Sequence, residues 1–99
     1  MESKAAETRR RVRQDVARIL DYFAYKRKLY YLQRKEPPHL YVPSHEDIRC
    51  AYILASMKTV KFKDLKKRID EYFKKLPLIL EEDPDEITFS HFAKWANRL

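Results

Sequence analysis

Two short stretches near the start of the chain combine side chains that bind phosphate with side chains that stack on bases. RRRVR at residues 9–13 contains no acid, and KRKLYYLQRK at residues 26–35 mixes Lys and Arg with Tyr and Leu. A guanidinium offers two parallel donors to phosphate oxygens, and exposed Tyr stacks on unpaired bases. We therefore expect low-specificity binding to the phosphates of nucleic acid, DNA or RNA. The predicted phosphate-contacting residues are Arg9, Arg10, Arg11, Arg13, Arg18, Lys26, Arg27, Lys28 and Arg34, extended by Lys63 and Lys67.

Other kinds of chemistry find little support in the sequence. The chain has no Gly, which excludes phosphate-binding loops, dinucleotide fingerprints and nucleophile elbows. The three His residues and Cys50 lack the spacing of known metal sites, and Cys50 is expected to be a small core residue. The acidic run at 81–86 is not a calcium-binding loop, because Asp85 stands where that loop requires Gly. We expect no enzymatic activity, no metal and no cofactor.

The net charge of +7 is unevenly distributed. Residues 1–35 hold eleven Lys or Arg and four acids, whereas residues 81–99 hold two Lys or Arg and five acids. The excess of basic residues in the first third agrees with a polyanionic partner on that part of the chain. The acidic end is also suited to docking on the arginine-rich helix of a neighbouring copy.

The composition bounds the class of protein. Ninety-nine residues make one domain. Asn, Gln and Cys are scarce while Lys, Arg and Glu are abundant, which is typical of proteins from hot environments. We therefore predict a hyperthermophilic archaeon, or one of its viruses, as the source. One Cys allows no internal disulfide, no apolar run approaches the ~20 residues of a membrane span, and the N-terminus lacks a secretory signal. An intracellular location is expected: cytoplasmic, or in a virion.

The residue pattern predicts a mainly α domain of about four helices, with a minor short β pair possible around LPLIL (76–80). The first helix should run from about Thr8 to Arg34, roughly 40 Å, and stop before the two prolines at 37 and 38. A rod of that length exceeds the size of a compact 99-residue domain. We therefore expect residues 1–13 to project as a basic arm.

Three further helices should form the body of the domain. Ser44 and Asp47 suggest a capping box at the start of a second helix. The run CAYILASM (50–57) in this helix is apolar on all sides, so we expect the helix to be enclosed and to form the hub of the core. Residues 61–76 predict an amphipathic third helix whose lysines pair with acids four residues away. A helix-turn-helix is disfavoured, because the apolar period over 62–76 is unbroken. A fourth helix should begin near Pro84. Its inward residues are Ile87, Phe92, Trp95 and Leu99.

The first helix carries two apolar stripes, which indicates that both sides are covered. One side can face the core, and the other requires a further surface, so we expect a homodimer. An alternative function is therefore a protein-interaction or assembly module, for example a viral or complex subunit, whose long helix joins subunits. A less favoured alternative places the basic helix on an anionic membrane surface. The predicted oligomer interface comprises Val12, Val16, Ile19, Tyr22, Phe23, Tyr25, Leu29 and Leu32.

Overall fold

A computed structural model of the chain describes residues 3–57 and 59–97, and within these ranges it contains five helices and no strand. The mainly α prediction is confirmed, and LPLIL lies in a helix instead of a β pair. The helices are α1 (Lys4–Gln33), α2 (His45–Ser56), α3 (Phe62–Lys74), α4 (Leu76–Glu82) and α5 (Phe89–Ala96).

The long helix α1 begins earlier than predicted because Ser3 caps it. The Ser3 hydroxyl accepts a hydrogen bond from the N–H of Ala6 at 3.2 Å. At the other end, Lys35 adopts a left-handed φ of 59°, and the N–H of Glu36 returns to the carbonyl of Tyr31 at 3.0 Å. This is a Schellman ending, in which the left-handed position is usually Gly. In a chain without Gly, a lysine takes that position.

The capping box of α2 is confirmed, but the predicted role of this helix as the hub of the core is wrong. The Ser44 hydroxyl accepts from the N–H of Asp47 at 3.1 Å, and the Asp47 carboxylate accepts from the N–H of Ser44 at 3.0 Å. Only Asp47 and Ala51 of α2 are buried, whereas Tyr52, Ile53 and the C-cap Met57 are exposed. The reason is that α2 packs one face against α1 and α5, and no described element covers its outer side.

The core is instead an aromatic cluster between α1, α3 and α5. Phe23 of α1 is fully buried at its centre, 5.2 Å from the ring of Phe73 and 5.5 Å from the ring of Phe89. The predicted apolar face of the third helix is confirmed, since it contributes four buried residues to the core. Its buried members are Leu65, Ile69, Tyr72 and Phe73, with Leu76 following in α4.

The C-terminal region departs from the prediction. α4 begins after a bend at Lys75, with Pro77 in its first turn. The helix predicted from Pro84 starts only at Phe89, because Thr88 provides the cap by accepting from the N–H of His91 at 3.2 Å. Residues 84–88 are non-helical. Of the residues predicted to face inward, Ile87 and Phe92 are buried and Trp95 is partly buried, whereas Leu99 lies outside the described residues.

The two stripes of α1 have different environments. Val16, Ile19 and Phe23 are buried in the core of this chain, so they are not available to a second copy and leave the predicted oligomer surface. Val12 is partly buried against the same core. In the second stripe, Tyr22 and Leu29 are half-buried, whereas Tyr25 and Leu32 are exposed.

Candidate nucleic-acid interface

The first two turns of α1 lie outside the core, and the arginine cluster begins there, beside the partly buried Val12. Arg9, Arg11 and Arg13 are exposed, and none makes an ion pair, hydrogen bond or ring contact with a described residue. Because a helix turns about 100° per residue, Arg9 and Arg13 share the flank beside α2, and Arg11 lies on the opposite flank. Arg10 is also exposed, although its side chain is not free of contacts.

Acids near the arginine cluster do not neutralise it through ion pairs. Glu7 and Asp15 each stand four residues from Arg11, a spacing that allows a pair on a helix. Neither forms one within the part of the chain that the structure describes. The guanidinium groups of Arg9, Arg11 and Arg13 therefore point to solvent with their donors unused by the fold.

Arg27, by contrast, holds the fold together and leaves the phosphate-contacting set. Its Nε donates to the carbonyl of Ile87 at 3.0 Å, and its Nη1 donates to the carbonyl of His39 at 3.1 Å. The guanidinium also lies over the rings of Tyr31 and Tyr41. Arg27 thus ties α1 to two loops that are distant in sequence, and two of its N–H donors serve those contacts.

Four other predicted cations differ in how far their side chains contact the rest of the chain. The guanidinium of Arg18 lies 4.2 Å from the centroid of the Phe62 ring, and that of Arg34 lies 4.4 Å from the centroid of the Tyr30 ring. Both arginines remain exposed, so their charge stays accessible while the ring contact orients it. Lys26 is half-buried, and its Nζ pairs with Asp70 at 3.5 Å. Lys28 is exposed and has no partner among the described residues.

The outer lysines of α3, Lys63 and Lys67, are exposed and without partners in the described chain. The predicted ion pairs along α3 do not form within that part, and for the two pairs that involve Asp70 the reason is that Asp70 contacts α1 instead. Asp70 pairs with Lys26 and accepts a hydrogen bond from the hydroxyl of Tyr22. Burial and this hydrogen bond raise the pKa of Tyr22 to about 12. Asp70 therefore serves the seam between α1 and α3, and within the described residues neither Lys66 nor Lys74 pairs with it.

Two exposed tyrosines border open cavities that also contain cations. Tyr25, 57% exposed, lines a cavity of about 340 Å³ with Lys28 and His39. Tyr52, 38% exposed, lines a cavity of about 540 Å³ with Arg9 and Arg13. The sequence missed Tyr52 because it lies within a continuous apolar run that indicated an enclosed helix. Its position eight residues after the Ser44 cap could not reveal which side of α2 would stay uncovered.

The remaining reactive side chains serve the fold. His91 is buried, with Nδ1 2.8 Å from the hydroxyl of Tyr72 and Nε2 3.2 Å from the carbonyl of Asp83. Cys50 is only partly buried, contrary to the prediction, and burial together with nearby Glu46 raises the pKa of its thiol. A raised pKa keeps the thiol protonated and poorly nucleophilic. No cluster of three or more His, Cys, Asp or Glu suited to a metal occurs within residues 3–57 and 59–97.

Comparisons with known proteins found no match among family models, curated proteins or solved structures. Within the described ranges, no helix is both long enough and apolar enough to cross a membrane. The geometry and charge of the interface are therefore the basis for inferring what it binds.

Proposed function

We propose that this protein binds nucleic acid through its phosphates, with low sequence specificity, along the exposed side of α1. The observation that carries this proposal is that the exposed guanidinium groups of Arg9, Arg11 and Arg13 have no partner among residues 3–57 and 59–97. Three like charges within five residues repel one another unless counterions or a polyanion gather around them. A phosphate backbone satisfies their donors and releases its own counterions, which favours binding.

We call Arg9, Arg11, Arg13 and Lys28 the α1 cation surface. These four side chains are exposed and have no partner in the described chain, unlike Arg27, which donates two hydrogen bonds within the fold. The exposed Arg10, Arg18 and Arg34 can add to this surface, and Lys63 and Lys67 can extend it on α3. No feature of these contacts reads base edges, which agrees with binding that depends on charge more than on sequence.

The test compares two triple variants with equal loss of charge. In the first, Arg9, Arg11 and Arg13 become Gln. In the control, three residues on and beside α3 that are exposed and have no partner among the described residues become Gln: Lys61, Arg68 and Lys75. Fluorescence anisotropy with a labelled 20-nucleotide single strand and its duplex is measured from 50 to 300 mM salt. We expect the arginine variant to bind at least about tenfold more weakly at low salt, since a charge-assisted contact contributes around 1.4 kcal/mol or more.

The salt dependence supplies a second measurement in the same experiment. Each phosphate neutralised contributes about 0.7–0.9 to the slope of log affinity against log salt, so losing three contacts should reduce that slope by about 2–3. The control variant should keep most of the slope. Absence of binding by the unmodified protein at 50 mM salt, or an equal loss in both variants, would show that α1 is not a phosphate-binding surface.

The assembly module remains a second candidate, because several apolar side chains on α2 and in the loop before it are exposed. Ile53 and Met57 on α2 are exposed and apolar, and so are Leu40 and Val42 in the loop before α2. Apolar side chains that are exposed together often mark a protein interface. In this case the homodimer would form without nucleic acid, and Ile53→Glu would convert it to a monomer. Analytical ultracentrifugation over a range of protein concentrations measures both outcomes.

A further inference from the structure

The tyrosines of this chain fall into two groups. Five of the seven have a partner in a hydrogen bond, a ring contact or a cation–π contact. Tyr25 and Tyr52 have none among the described residues, and both are exposed. The fold therefore leaves two aromatic faces unused. The engaged tyrosines are Tyr22, Tyr30, Tyr31, Tyr41 and Tyr72.

Each unused ring borders a cavity that also holds cations of α1. The cavity beside Tyr52 includes Arg9 and Arg13 and measures about 540 Å³. The cavity beside Tyr25 includes Lys28, and its walls also contain Pro38 and Leu40; it measures about 340 Å³. A planar base can stack on an exposed ring in such a cavity while its phosphate contacts the neighbouring cation.

The two cavities follow the same flank of α1. The chain from residue 38 to residue 56 returns along α1, because residues 38–41 border the cavity at Lys28 and Ser56 borders the cavity at Arg9 and Arg13. Arg13 and Lys28 are fifteen residues apart on one helix, which corresponds to about 22 Å. Several nucleotides of a strand span that distance, so one strand can occupy both cavities.

We infer that the ligand of the α1 cation surface is single-stranded nucleic acid, with one base stacked on Tyr25, another on Tyr52, and phosphates held by Arg9, Arg13 and Lys28. This inference rests on the proposed function and adds the class of nucleic acid. In a duplex the bases are paired and stacked inside, so the rings of Tyr25 and Tyr52 have no base to receive. A single strand presents both its phosphates and its bases to the same flank.

The experiment measures binding of labelled dT15, U15 and the dT15·dA15 duplex to six proteins. These are the unmodified chain, Tyr25→Ala, Tyr52→Ala and the double variant, with Tyr25→Phe and Tyr52→Phe as controls that keep the ring. We expect each Ala variant to weaken binding of dT15 and U15 about tenfold and to leave the duplex unchanged, and each Phe variant to bind as the unmodified chain does. Similar weakening for dT15 and U15 would show that the strand is read by its bases and phosphates, in DNA and RNA alike.

A second measurement does not depend on the variants being folded. Oligonucleotides that carry 5-iodouracil are photocrosslinked to the unmodified chain, and mass spectrometry identifies the modified residues. We expect crosslinks at Tyr25 and Tyr52 and none at Tyr31, which lies beneath the Arg27 guanidinium. Circular dichroism of the Ala variants confirms that their helices are retained.

The possible failures are distinguishable. Equal binding of single strands and duplex, unchanged by either Ala substitution, overturns this inference and leaves phosphate binding by α1 intact. Absence of binding to all three nucleic acids overturns the proposed function as well. If Tyr25→Ala or Tyr52→Ala lowers the mass of the protein in solution without changing affinity, that ring belongs to a protein interface and the inference is overturned.

Discussion

At the scale of single residues, the buried carboxylate of Asp47 organises the junction of α2, α5 and the loop before α2. Its Oδ2 accepts hydrogen bonds from the hydroxyl of Tyr41 at 2.7 Å and the N–H of Ser44 at 3.0 Å, and its Oδ1 accepts from the N–H of Ser90 at 2.9 Å. The Tyr41 hydroxyl in turn accepts from the N–H of Phe89 at 2.9 Å. One acid thus satisfies donors at the first turns of two helices.

The environment of Asp47 acts on its ionisation in two opposing ways. Burial disfavours the charged form, but the hydrogen bonds from Tyr41, Ser44 and Ser90 outweigh it, so the pKa of Asp47 is lowered. Burial and the hydrogen bond to Asp47 raise the pKa of Tyr41 above its usual range. The tyrosine therefore remains a donor and the aspartate remains an acceptor across the neutral range.

We predict that Asp47→Ala lowers the free energy of unfolding by about 2–4 kcal/mol, because three donors lose their acceptor and α2 loses its capping box. Denaturant unfolding followed by circular dichroism measures this change. The matched control is Asp21→Ala, at an exposed acid of α1 with no partner in the described chain, which should change stability by no more than about 0.5 kcal/mol. Equal effects of the two substitutions would contradict the role assigned to Asp47.

Acid should weaken the fold through the same residue. The pKa of Asp47 is lower in the folded chain than the value of about 3.9 expected when unfolded, so the unfolded chain binds the proton more readily. The stabilisation is therefore complete above about pH 4 and is lost as the pH falls through the folded pKa. We expect the difference in unfolding free energy between the unmodified chain and Asp47→Asn to shrink below that pH. Urea titrations from pH 7 to pH 2.5 measure it, and a constant difference would argue against this linkage.

At the scale of elements, the ends of the helices show how a chain without Gly makes its turns. Lys35 takes the left-handed position at the end of α1, with φ 59°, which costs a non-Gly residue around 1–2 kcal/mol. The end of α3 is different, since its C-cap Lys75 has φ −96°, an ordinary value for a lysine. Among the described residues, the left-handed φ therefore occurs only in the turn that redirects the chain from α1 into the loop before α2.

We predict that Lys35→Gly raises the free energy of unfolding by about 0.5–1 kcal/mol, because Gly adopts the left-handed conformation without a steric penalty. Lys75→Gly is the matched control and should lower it by about the same amount, since Gly there only adds freedom to the unfolded chain. Thermal melting of the two variants beside the unmodified protein measures whether their stabilities change in opposite directions. Destabilisation by both substitutions would mean that the turn does not strain Lys35.

At the scale of the whole molecule, one helix extends well beyond the core that it helps to form. The molecule measures 51 × 28 × 23 Å, and the described residues before Val12 are exposed, apart from the half-buried Ala6. The α1 cation surface begins on this extension, while the aromatic cluster around Phe23 holds the other half of α1. The exposed Arg9 and Arg11 therefore lie on a part of α1 that contributes little to the core.

We predict that deletion of residues 1–11 changes the free energy of unfolding by no more than about 1 kcal/mol, because the removed side chains add little to the core. The same deletion should weaken nucleic-acid binding, since it removes Arg9 and Arg11. Circular dichroism melts and anisotropy titrations on the truncated chain measure the two effects. A truncated chain that unfolds at 25 °C would show that the extension is part of the structure of the domain.

The features that could be predicted from the sequence depend on short-range signals. The α3 face repeats every three to four residues, and Ser44 and Asp47 are three apart, so each pattern carries its own geometry. The predicted start of α5 was wrong because Pro84 resembles the first residue of a helix. In the structure the helix is capped by Thr88 instead. The arginine cluster could be recognised in the sequence. The hydrogen bond that engages Arg27 within the fold could not, because its acceptor is the carbonyl of Ile87, sixty residues away.

The sequence by itself determined that the chain is helical and that its positive charge gathers on the first helix, because composition, apolar period and caps act locally. Only the tertiary structure decided which cations stay unpartnered, that α2 lies at the edge with Tyr52 uncovered, and that α1 buries only one of its stripes. Those outcomes depend on which faces meet when distant segments pack, and packing is a property of the whole chain.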